Sequence, residues 1–176
     1  SALSMHSTRA HQAQASATAR PPEAELFDQL RQLPLLSLLN DAQLWELLRL
    51  SRWRKVPVGT TLMHEGGYAV SCYLLLKGEA RVTQKGKLIA LIDEGTFLGE
   101  LAFADPTPAP RNATVVTTTS GTIGKWPYAK LSSASAGLQS KMLQIFFRIA
   151  AERLRQSDER YLRLYRQYVQ KEEGVA

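Results

Sequence analysis

Between Val56 and Trp126 the chain breaks into short apolar and β-branched runs, each closed by a glycine-bearing turn. Val58-Gly59, Glu65-Gly66-Gly67, Lys77-Gly78, Lys85-Gly86, Glu94-Gly95 and Ser120-Gly121 supply the turns, at intervals of about eight to twelve residues. The segments 61–63, 73–76, 80–83, 88–92, 113–118 and 122–126 are the strand candidates between them. Closely spaced short strands bury enough apolar surface only when folded onto one another. They therefore predict an antiparallel sandwich or barrel, with the β-roll spanning 55–126.

Both flanks read as helix. Over 23–51, Leu26, Phe27, Leu30 and Leu33 recur at threes and fours until Pro34, and Asn40 or Asp41 caps a second segment carrying Leu44, Leu47 and Leu48. Pro127 opens a third helical region over 127–171. There Phe147, Leu154, Tyr161 and Tyr168 recur by sevens, with Ala150, Ser157, Leu164 and Lys171 three positions after each. This is a heptad seam over about three repeats, and it predicts a homodimer formed through the C-terminal helix. The fold class is then α+β: an antiparallel jelly-roll barrel, N-terminal helices and a long C-terminal helix. Residues 1–22, rich in Ala, Ser and Gln, read as a flexible tail, with Ser1 to Ser4 as an expression scar. The domain itself runs over 23–171.

Composition narrows the function classes. The net charge of +6 invites a nucleic-acid reading, but the cations are interleaved with acids, as on an ordinary solvated surface. Cys72 is the single cysteine and lies in an apolar run, which excludes an intramolecular disulfide and fits a reducing, cytoplasmic setting. No run approaches the roughly 18 apolar residues of a membrane span. Of the three histidines, His6 and His11 lie in the tail and His64 lacks a second ligand at useful spacing, so neither a metal nor a cofactor is expected. Without a nucleophile–base pair, no catalytic residues are assigned and no enzyme is expected.

The segment FLGELAFADPTPAPRNATV, at 97–115, carries the chemistry. Gly99-Glu100-Leu101-Ala102 reads as the first turn of a short helix after a strand, where unpaired amides favour an anion and glycine allows close approach. A helix turn alone does not balance a phosphate, and Arg111, at the head of the next strand, offers a two-pronged cation. Glu100 repels phosphate and so addresses another part of the ligand, as a carboxylate does a ribose hydroxyl. Phosphate plus ribose means nucleotide.

In this order of helices, glycine-marked strands, GELAF, PRNATV and long helix, the chain resembles a cyclic nucleotide-binding domain over roughly 26–160. GTFLGELAF at 95–103 is similar to that family's phosphate-binding cassette, PRNATV at 110–115 to its second half, and PVGTTLMHEG and YLLLKG to its early strands. The resemblance implies a cyclic nucleotide ligand, cAMP ahead of cGMP. It gives Glu100 and Gly99 the ribose, Arg111 and Asn112 the phosphate with the amides of Leu101 and Ala102, and Val82, Ile89 and Leu98 the pocket walls. AERL at 151–154 resembles the matching helix of catabolite activator proteins. There Arg153 is expected to approach Glu100, and Ser157 and Asp158 match base-contacting positions; Ser157 reads equally as a small seam residue.

Two departures stand out. Eleven positions separate Glu100 from Arg111, one or two beyond the family's usual spacing, and Pro106, Pro108 and Pro110 fill the excess. These prolines either stiffen the connection or displace the arginine. Asn112 stands where the family often carries a small residue. The activator-like likeness also raises DNA binding, but nothing after Tyr168 can build a helix-turn-helix, so DNA is not an expected partner. The expected role is a sensor that relays ligand binding to an unidentified downstream protein or a dimer mate. The alternative is a domain that keeps the fold without nucleotide and serves dimerisation or docking.

Overall fold

A computed structural model describes residues 21–105 and 109–174. Among the described residues two helices lead in, α1 (Glu23–Arg31) and α2 (Asp41–Arg49), joined by a 3-10 turn at Pro34–Leu36. Asn40 is the cap of α2: its side chain accepts from the Gln43 amide at 2.9 Å, and Gln43 Oε1 accepts from the Asn40 amide at 3.0 Å. Pro21 is buried and Pro22 caps α1, so these two residues belong with the domain rather than with the tail.

Eight strands follow: β1 (Arg52–Val56), β2 (Thr61–Met63), β3 (Ser71–Lys77), β4 (Ala80–Gln84), β5 (Lys87–Ile92), β6 (Thr96–Leu98), β7 (Thr114–Thr117) and β8 (Gly121–Pro127). They form two antiparallel four-stranded sheets, ordered β1-β8-β3-β6 and β2-β7-β4-β5. The α+β jelly-roll reading is therefore the observed fold. The roll begins at Arg52, three residues before the expected start. In β1 three of five positions are Arg or Lys and only Trp53 and Val56 are buried, so the usual apolar alternation is hidden.

The first sheet buries both of its faces, but unequally. Toward the helices, Trp53, Cys72, Leu74, Leu76, Phe97 and Trp126 pack with Leu26, Leu30, Leu44, Leu47, Met142 and Phe146. Trp126 Nε1 donates to Leu47 O at 2.8 Å, and Trp53 meets Trp126 edge to face at 5.5 Å. A Cβ at Gly124 would stand 2.6 Å from Trp53, so the two indoles meet only over a bare backbone. Toward the second sheet the core is smaller: Val56, Leu62, Leu75, Ala80, Leu98, Val115 and Ile123.

Between β6 and β7 lies a single turn of helix, α3 (Leu101–Ala104), and after β8 come α4 (Tyr128–Ser132) and α5 (Ala136–Glu173). The 38 residues of α5 reach about 57 Å. Its first turns bury Leu138, Met142, Ile145 and Phe146, whereas every residue from 154 to 168 is exposed. No described helix is long and apolar enough to cross a membrane.

Candidate functional site: a ligand-binding cassette

The connection from β6 to β7 holds both charges singled out above. Gly99 has φ +74°, which turns the chain sharply out of β6 and brings Glu100 inward as the residue before α3. The helix therefore begins at Leu101, with Gly99 and Glu100 ahead of it. Glu100 is completely buried. Its Oε1 accepts from Arg153 Nη1 of α5, and Arg153 Nη2 donates to Phe97 O at 2.6 Å. Its Oε2 has no hydrogen-bond partner among the described residues. Burial pushes the Glu100 carboxyl above the usual carboxylate range, and the Arg153 and Arg111 guanidinium groups pull it back only in part.

Arg111 is pinned through both backbone and side chain. Its amide donates to Gly67 O at 2.8 Å and its carbonyl accepts from the Gly66 amide at 2.7 Å, so the β2–β3 connection holds its Cα. Nη2 donates to Ser71 O at 2.5 Å and Nη1 to the Tyr128 hydroxyl at 3.2 Å. The guanidinium lies against Gly99, where a Cβ would stand 2.6 Å from Nη1. The arginine thus reaches the cassette turn. Pro106 and Pro108, the stiffening residues proposed from sequence, fall outside the described residues; Pro110 bridges Tyr68. Arg111 also lines a cavity of about 240 Å³ with Leu62, Met63, His64, Tyr68 and Tyr73.

The remaining sequence-derived residues are spread around this centre. Leu101 is exposed and Ala102 half-buried on α3, and Asn112 is exposed in the bend before β7. Leu98 is buried in the roll interior and Val82 packs against the same cluster. Ile89 lies outside it, 41% exposed, and its carbonyl accepts from Arg160 of α5 at 3.4 Å. Arg153 meets Glu100, as the resemblance implied, while Ser157 and Asp158 are exposed one turn further along α5. Sequence reasoning missed Tyr128, which directly follows the helix-opening Pro127. It also missed the carbonyls of Ser71 and Phe97, which as main-chain acceptors leave no trace in side-chain pattern. Cys72 sits nearby but is inert: burial pushes its thiol up to about 12.

An eight-stranded β-roll whose C-terminal helix closes on a buried acid, with an anchored arginine beside it, defines a narrow class of domain. Residues 53–136 match the family of cyclic nucleotide-binding domains. The chain is 33% identical over 107 residues to the cAMP-dependent protein kinase regulatory subunit of Yarrowia lipolytica, a match taking in 58% of this chain and 28% of that one. Among solved structures it is similar to a cyclic nucleotide-binding domain from Methylobacillus flagellatus KT, with a TM-score of 0.72 and 21% identity over 82% of this chain and 86% of that one. It is also similar to the regulatory subunit of a cAMP-independent protein kinase A from Trypanosoma brucei, with a TM-score of 0.64 and 18% identity over 73% and 47% of the two chains. The chain spans less than a third of the length of the curated relatives it matches.

Proposed function

We propose that this cyclic nucleotide-binding regulatory domain takes cAMP ahead of cGMP and relays its binding through α5. The observation that carries the reading is Glu100 Oε2, a wholly buried carboxylate oxygen with no donor among the described residues. Such an acceptor is costly to leave unmet, and a ribose hydroxyl would meet it. Arg111, held against the same glycine turn, offers its remaining N–H groups to a phosphate. Leu101, Ala102 and Asn112 stand beside it for the same end of the ligand, with Val82, Ile89 and Leu98 as walls and Ser157 and Asp158 toward the base. The preference for cAMP is supported by the name of the Yarrowia relative.

A ligand shifts α5 only if it contacts the two states of the helix differently. Arg153 supplies that difference, because it shares Glu100 with the proposed ribose contact. The exposed stripe of Phe147, Leu154, Tyr161, Leu164 and Tyr168 supports pairing with a second copy. The proposed setting is the cytoplasm, with a protein effector downstream.

The second reading, a domain that keeps this fold without nucleotide, is favoured by the longer cassette; the Trypanosoma neighbour is the regulatory subunit of a kinase named cAMP-independent. A thermal-shift series with cAMP, cGMP and cyclic dinucleotides separates the two. cAMP should raise the melting temperature most, because it binds only the native state. No shift with any of them would favour the second reading.

A further inference from the structure

Tyr128 occupies a position that neither the acid nor the arginine explains. It is the first residue of α4, placed there by Pro127 at the end of β8 and by its own amide, which donates to Val70 O at 2.9 Å. Its ring lies 5.9 Å from that of Phe103 on α3. Its hydroxyl donates to Gly99 O at 2.5 Å and accepts from Arg111 Nη1 at 3.2 Å. Both functions of the hydroxyl are thereby used, one at each end of the cassette.

We infer that Tyr128 is a positioning residue for the phosphate site: its hydroxyl clamps Arg111 flat against Gly99 before any ligand arrives. This rests on the reading of Arg111 as the phosphate-binding cation. A guanidinium has five N–H donors. Among the described residues Ser71 O and the Tyr128 hydroxyl take one each, which leaves three for a phosphate. The clamp therefore orients the fork without exhausting it. A free arginine side chain loses its rotamer freedom when it grips a ligand, whereas a clamped one has lost it on folding, so the ligand binds more tightly. Burial raises the Tyr128 hydroxyl above its ordinary value, so at neutral pH it stays protonated and keeps donating to Gly99. Because Tyr128 heads α4, the same hydroxyl also joins the arginine to the helical part of the domain.

The test has one arm without ligand and one with it. In nitrogen NMR of the ligand-free protein, Arg111 should show two separate, slowly exchanging Nη environments, and Tyr128→Phe should speed their exchange even though the Ser71 contact remains. Averaged Nη signals in the unmodified protein, or an exchange rate that Tyr128→Phe leaves unchanged, would overturn the clamp. In calorimetric titration with cAMP, Tyr128→Phe should weaken binding roughly 3- to 10-fold, about the worth of one hydrogen bond. The same change on an Arg111→Lys background should have little further effect, since lysine has no fork to orient. Equal losses on both backgrounds would mean that Tyr128 only props the fold, and would overturn the inference. If the unmodified protein fails to bind cAMP, the nucleotide reading fails, and the ligand-free spectrum still decides the clamp.

Discussion

Glu100 and Arg111 lie on one connection, yet different parts of the molecule hold them. The acid is tied to α5 through Arg153, and its second oxygen has no donor among the described residues. The arginine is tied to the roll through Gly66, Gly67 and Ser71, and to the head of α4 through Tyr128. One charge is thus tied to the long helix, while the other is held in the frame. A ligand gripping both would couple helix to frame, whereas an ion pair between the two would leave no such link.

The largest effect should come from the framed end. Arg111→Ala should cost about 2–5 kcal/mol of cAMP binding, roughly 30- to 4,000-fold, because the phosphate charge is then desolvated without a partner. Titration calorimetry measures it, and an unchanged affinity would break the comparison on its arginine side.

Glu100→Gln should weaken binding without lowering stability. Losing a charged acceptor for a hydroxyl should cost about 1.5–3 kcal/mol of binding. The ligand-free domain should melt no lower than before, since the substitution removes a buried carboxylate whose charged form burial disfavours. The pH dependence gives the sign independently. With its pKa raised in the fold, Glu100 binds a proton more tightly folded than unfolded. Its contribution is then most favourable below the ordinary glutamate range, and it falls as pH rises from there through the raised value. Denaturation midpoints across that window should decline with pH, and Glu100→Gln should flatten the decline. A steeper decline in the variant would contradict the assignment.

Arg153→Ala should have a smaller effect on stability, about 1 kcal/mol. The Arg153 side chain is 40% exposed, so water screens much of the pair. Its main effect should be on motion: amide exchange in α5 beyond Leu154 should quicken, while amides around Arg111 keep their protection. Faster exchange at both places would mean that the two ends are not held separately.

The same contrast separates what the sequence shows from what it hides. Glycine turns and apolar runs made six of the eight strands readable, and the Asn40 cap was one of two named candidates. β1 was missed because Arg52, Arg54 and Lys55 mask it. At the site, Glu100 and Arg111 were legible as charged side chains beside glycine and proline. The tether of Glu100 to Arg153 was legible only by resemblance, because 53 positions separate them. The tethers of Arg111 were not legible at all: three of its partners are main-chain groups, and the fourth, Tyr128, looks in sequence like any aromatic at a helix start.

The central claim is that the two residues grip opposite ends of one cyclic nucleotide. Titration of the unmodified protein and Glu100→Gln with both cAMP and its 2′-deoxy analogue tests it most directly. The account predicts that deleting the 2′-hydroxyl weakens binding about 10-fold or more to the unmodified protein and hardly at all to Glu100→Gln. An equal loss in both proteins, or no saturable binding of cAMP to the unmodified domain, would contradict it.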